Sequence, residues 1–205
     1  MNKFWLFLLF FPLLFSCKND PSKTELPYLG NQEMVDGRPK YHSIRDFEYM
    51  NQDSQIVTNK TLADGVYIAD FFFTSCPSIC PKVMKQMLRL YETFESTPGV
   101  SLVSFTLDPV RDDVNKLALY AQNLEVKAPK WHFLTGDKDF TLDLADDFFV
   151  AALEDPDAPG GFDHSGKIIL VDKNGHVRSF CEGTEPETIP KFIEDVKALL
   201  AKNGQ

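Results

Sequence analysis

Val66-Tyr67-Ile68-Ala69-Asp70-Phe71-Phe72-Phe73-Thr74-Ser75-Cys76-Pro77-Ser78-Ile79-Cys80-Pro81 decides the fold. Its opening run is almost wholly apolar, and such a run suits a strand covered on both faces. Pro81 suits the first turn of a helix, where its missing N–H costs nothing. Val83, Met87, Leu90 and Phe94 then recur at helical spacing until Pro98-Gly99. Two cysteines therefore stand between a buried strand and the start of a helix.

Outward from this unit the pattern alternates. Upstream, Ser43–Tyr49 and Gln55–Thr58 flank Asn51-Gln52-Asp53-Ser54 as a hairpin. Downstream, Val100–Leu107 is a second apolar strand. Asp112 or Asp113 can cap the next helix, which has Val114, Leu117, Ala118, Ala121 and Leu124 on one face. Trp131–Leu134 is a short strand and Phe140–Phe149 a helix, followed by a Pro- and Gly-rich loop over 155–161. Lys167–Val171 and His176–Cys181 flank Asp172-Lys173-Asn174-Gly175, a strong hairpin signal. Thr184 and Glu187 form a capping-box pattern before a closing helix with Ile189, Phe192, Val196 and Leu199. Alternating strands and helices predict an α/β, thioredoxin-like fold, with a central mixed sheet flanked by helices and an N-terminal β-hairpin.

The chain has 205 residues, enough for one domain with appendages at roughly 100–200 residues per domain. A net charge of −9 and the lack of any long Lys/Arg cluster argue against a nucleic-acid partner. Phe4–Phe15 is apolar but too short to span a bilayer core comfortably, and it reads as the core of an export signal. It ends at Leu14-Phe15-Ser16-Cys17, the pattern of a bacterial lipoprotein leader; an ordinary secretory leader and a short N-terminal anchor are the alternatives. The expectation is a signal over 1–16, a lipid on Cys17, a polar tether over 17–40 and the folded domain over 41–205. That puts the protein in the cell envelope of a bacterium, on the periplasmic side, held to the membrane by its lipid.

In an exported protein a close cysteine pair is a disulfide, a redox pair or a metal site. At i and i+4 around a helix start, Cys76 and Cys80 can project to one side. The helix N-terminus favours thiolate, the form that binds metal or attacks disulfides. The pair alone leaves three readings open: copper binding, thiol–disulfide exchange without metal, and a static staple over a very short loop, which gains little chain entropy. A peroxiredoxin-like reading lacks its Thr-x-x-Cys. His164, in Phe162-Asp163-His164-Ser165-Gly166-Lys167, falls in the loop entering the last hairpin. It reads either as an ordinary histidine or as the third member of a trigonal set of two sulfurs and one nitrogen, which suits Cu(I) and also accommodates Cu(II). Asp163 is a candidate to orient the imidazole. His42, His132, His176 and Cys181 read as structural residues; Met84 and Met87 are candidate soft ligands, with Met87 on the core face of Val83 and Leu90.

Three segments in order, Thr74–Pro81, Thr106-Leu107-Asp108-Pro109-Val110-Arg111-Asp112 and Asp163–Asp172, resemble the SCO/SenC family over roughly residues 41–200. That resemblance implies a membrane-tethered, thioredoxin-like copper chaperone that helps assemble the copper A centre of cytochrome c oxidase. It implies Cys76, Cys80 and His164 as copper ligands and the copper A subunit as acceptor. It matches Asp108 and Asp112 to the family's acidic motif. Many relatives use a transmembrane helix where this chain has a lipoprotein-like leader.

Overall fold

The computed structural model describes residues 25–203, so the expected signal and Cys17 lie outside the described residues. A seven-stranded sheet forms the centre. Its parallel middle is β5 (Val66–Phe72), β6 (Val100–Thr106) and β7 (Trp131–Thr135). Val66 pairs with Val100 and Phe72 with Thr106, so the two longest strands run in register along their full length. All seven β5 residues are buried, Asp70 among them, as its almost wholly apolar run requires.

The flanking strands are antiparallel: β3 (Glu48–Asn51) and β4 (Ile56–Thr58) on one side, β10 (Lys167–Val171) and β11 (Val177–Glu182) on the other. The order across the sheet is β11-β10-β5-β6-β7-β3-β4. A short α1 (Asn59–Leu62) precedes β5. The longer helices are α2 (Cys80–Phe94), α3 (Val114–Asn123), α4 (Lys138–Asp147) and α5 (Ile189–Asn203). Val83, Met87, Leu90 and Phe94 all bury their side chains, as their spacing predicts. Among the described residues, no helix is long and apolar enough to cross a membrane.

Three details differ from the sequence reading. First, part of the polar stretch before Tyr41 is built structure. β1 (Gln32–Val35) and β2 (Arg38–Tyr41) form a separate antiparallel hairpin. Its turn is Asp36-Gly37, both at positive φ, the dipeptide that tight hairpins favour. Just before it, Arg178 donates to the carbonyls of Leu26 (2.5 Å) and Pro27 (3.0 Å) and stacks over Tyr28. Arg178 is buried and paired with buried Asp172 at 2.8 Å. Residues 26–29 thus lie along β11, where the Leu29 N–H reaches the Val177 carbonyl.

Second, Thr184 and Glu187 do not form the expected capping box. A 3-10 turn, Pro186–Thr188, leads into α5 instead, with the Thr188 hydroxyl donating to the Glu182 and Glu185 carbonyls. Third, the expected loop over 155–161 joins β8 (Ala152–Glu154) to β9 (Phe162–His164), a small antiparallel pair outside the main sheet, so His164 ends a strand and not a loop.

Candidate metal centre

Cys76 lies in the loop after β5, and Cys80 opens α2. No side chain caps this helix; its N-cap is Ile79 and Pro81 fills the first turn. The Cys76 sulfur lies by this helix start, 3.6 Å from the Ser78 hydroxyl. Burial alone would raise its pKa, but the backbone N–H groups of Cys80 and Ser78, the imidazole of His164 and the Ser78 hydroxyl outweigh it, and the value falls to about 6. Cys76 is therefore a thiolate at neutral pH. Cys80 behaves oppositely: burial, then its neighbour Cys76, pushes its thiol well above the ordinary value. The two sulfurs are not bonded to each other.

His164 ends β9 and faces the sulfurs. Its Nε2 is 3.5 Å from the Cys80 Sγ, and its Nδ1 is 3.3 Å from the Ser165 carbonyl. A carbonyl only accepts, so the Ser165 contact is a hydrogen bond when Nδ1 carries a proton, and Nε2 is the ring nitrogen that faces the Cys80 sulfur. The Cys76 and Cys80 sulfurs and a His164 ring nitrogen all lie within 4.8 Å of one another, and each residue is buried. Two soft sulfurs with one imidazole suit copper, and Cu(I) in particular.

A groove of about 420 Å³ beside the sulfurs is lined by Cys76, Cys80, Met84, Lys85, Tyr120 and Leu124, among others. Met84 is buried in its wall, while Met87 is core.

Asp163, Asp108 and Asp112, the acidic residues singled out, lie outside the Cys76, Cys80 and His164 cluster found among the described residues. Asp163 does not orient the imidazole: on a strand whose side chains alternate, it points to solvent while His164 points inward. The orienting contact comes from Ser165 instead. Asp112 is not the helix cap either, because Asp113 caps α3 through the Lys116 N–H. Asp112 is fully buried and accepts from the Thr74 N–H (2.9 Å), the Thr74 hydroxyl (2.5 Å) and the Thr106 hydroxyl (2.6 Å). It thereby ties the segment just before Cys76 to β6. Asp108 is buried and paired with Arg111.

Sequence reasoning missed two groups. Asp70 is fully buried in β5; its Oδ1 accepts from Ser104 at 2.5 Å, its Oδ2 has no partner, and burial raises its pKa to about 7. Its one charge inside an apolar run was the signal. Arg111 reaches across to the Gly160 carbonyl at 2.7 Å, a contact that nothing local in the sequence announces.

The other histidines lie apart from this cluster. His42 contacts the Asp147 carbonyl, His176 the His42 carbonyl, and His132 the Asn51 amide. Cys181 is a buried thiol whose pKa burial pushes up to about 12.

With the geometry in hand, the comparisons agree on one family. The sequence matches SCO1/SenC over residues 35–201. The structure is similar to that of an SCO1/SenC family lipoprotein from Bacillus anthracis, with 28% identity, a TM-score of 0.69, and 77% of this chain and 94% of that one covered. It is similar to BsSco, a member of the Sco family of cytochrome c oxidase assembly proteins in which a disulfide switch was identified. The values there are 29% identity and a TM-score of 0.68, covering 82% and 98% of the two chains. It also resembles yeast Sco1 with copper bound, at 25% identity and a TM-score of 0.60, covering 75% and 87%.

Proposed function

The chain belongs to the SCO1/SenC family, and from that premise we propose that it binds copper through Cys76, Cys80 and His164 and delivers it to the copper A site of cytochrome c oxidase. The observation that carries this reading is the convergence of two sulfurs and one imidazole within 4.8 Å, from segments far apart in the chain. Copper bound to yeast Sco1 and the oxidase-assembly role of the BsSco family support the cargo and the acceptor.

Each ligand has its part. Cys76 is already a thiolate and meets the metal first. Cys80 gives up its proton when it binds, so loading releases acid. His164 closes the set through Nε2, which already faces the Cys80 sulfur. Delivery runs through shared ligands: acceptor thiolates and imidazoles enter beside the groove and replace these donors one at a time, so copper is never free.

The membrane tether we assign to lipid on Cys17, on the bacterial envelope's periplasmic side. The leader-like sequence carries this, and the Bacillus anthracis relative is a lipoprotein. Radiolabelled palmitate incorporated by the full chain but not by Cys17→Ser supports it; equal labelling of both overturns it.

A second reading has its own observation. A Cys76 thiolate beside a Cys80 thiol is a nucleophile with a resolving partner. The Cys76 thiolate attacks an acceptor disulfide and releases one acceptor thiolate; Cys80 resolves the mixed disulfide, closing a Cys76–Cys80 disulfide and releasing the second, so two electrons pass to the acceptor with one proton from Cys80 and one from solvent. Anaerobic copper titration of the reduced protein separates the readings. The copper reading expects one copper per chain, none in Cys76→Ser, and at least a hundredfold weaker binding in His164→Ala with thiol exchange retained. Affinity unchanged by His164→Ala defeats the copper reading and leaves the thiol one.

A further inference from the structure

The loop between β6 and α3 supplies no ligand, yet it touches both halves of the centre. Asp112 holds Thr74 on the sulfur side. On the other side Arg111 extends from Asp108 to the Gly160 carbonyl.

Gly160 lies in the turn that joins β8 to β9, and β9 carries His164. That turn is closed mainly on itself: Asp155 N–H to the Gly161 carbonyl at 3.0 Å, and Gly161 N–H to the Ala158 carbonyl at 2.9 Å. The arm's root is fixed by the Lys138–Glu154 ion pair and by the Ser165 N–H on the Ala151 carbonyl. Its tip is fixed by two things. One is packing on Phe73, whose ring lies 5.3 Å from Phe162 and 5.6 Å from His164. The other is the Arg111 hydrogen bond. Gly160 itself sits so close to Phe73 that a Cβ would come within 2.6 Å of the ring, at a φ of +87°. The missing side chain lets the turn lie directly against Phe73.

We infer that Arg111 is a positioning residue for His164: seated on buried Asp108, its guanidinium grips the Gly160 carbonyl and holds the arm that presents the imidazole to the sulfurs. Its consequence for affinity rests on the copper reading, whereas the grip itself is a property of the metal-free chain. A lysine could face Asp108 but lacks the planar fork that meets the carboxylate and the carbonyl together.

The test is hydrogen exchange on the metal-free, reduced protein and its Arg111→Ala and Arg111→Lys variants, followed by copper titration. In Arg111→Ala, amides of residues 155–164 are expected to exchange about tenfold faster while β5 and β6 keep their protection. Copper affinity is expected to drop about tenfold, thiol–disulfide exchange to stay within about twofold, and Arg111→Lys to lie between. Unchanged exchange of the arm overturns the inference. So does faster exchange throughout the sheet, which makes Arg111 merely structural. If the arm loosens but copper affinity holds in a protein that His164→Ala weakens, the positioning role fails. If the unaltered protein takes no copper, the copper reading fails while the arm's exchange still decides the grip.

Discussion

Cys76 and Cys80 sit where a seven-residue buried strand meets a fifteen-residue helix, whereas His164 ends a three-residue strand outside the main sheet. The sulfur half inherits the rigidity of the parallel core. Its neighbours in sequence are also its neighbours in space, and Asp112 ties Thr74 to β6 from within. The imidazole half has little sheet of its own. It is placed by an edge-to-face ring contact with Phe73, a hydrogen bond from Arg111 to the Gly160 carbonyl and one ion pair at its root. The same centre thus joins a stiff donor pair to a donor on an arm whose few contacts make it the easier part to move. On the proposed copper reading, the weakly held ligand is the natural one to release first.

Altering the firmest joint on the sulfur side should have the largest effect. Asp112→Ala strips partners from the half-buried Thr74 N–H and hydroxyl and from the buried Thr106 hydroxyl. The expected cost is about 3 kcal/mol, a Tm lowered by roughly 10 °C, because unmet buried donors are expensive. A calorimetric Tm within a degree of the unaltered protein would break the contrast, since the sulfur half would then not depend on that joint.

The smallest effect is chemical. The Cys76 pKa lies near 6, below an ordinary thiol, so its thiolate persists as pH falls and is lost only through that value. Iodoacetamide alkylation of the metal-free, reduced protein should therefore reach half its maximal rate near pH 6. Cys80, whose pKa is shifted the other way, should stay unmodified across the same range. Mass spectrometry of the labelled peptides reads both. Equal labelling of the two cysteines with a midpoint near pH 9 would erase the difference between them.

The contrast also explains what the sequence makes legible. The strand, the cysteine pair and the helix are contiguous, and their periods are long enough to read: Val66–Phe73 and the Val83, Met87, Leu90, Phe94 face needed no distant information. The imidazole half is not contiguous with anything it touches. β8 and β9 have three residues each, too few for a period, so the segment reads as a loop. Asp163 stands beside His164 in sequence, but a strand sends neighbours to opposite faces, which removes it from the role its position suggests. Asp112 and Asp113 are both plausible caps by composition; only the packing of Thr74 and Thr106 against one of them tells them apart. The β1–β2 hairpin escaped because both its faces are largely exposed, leaving no apolar alternation, although Asp36-Gly37 was a usable turn signal.

The most direct test of three-point coordination is X-ray absorption on the reduced protein loaded anaerobically with one equivalent of copper. Two sulfur scatterers and one imidazole nitrogen are expected, with the nitrogen lost and both sulfurs kept in His164→Ala. A spectrum with sulfur alone in the unaltered protein, or one that His164→Ala leaves as it was, contradicts it.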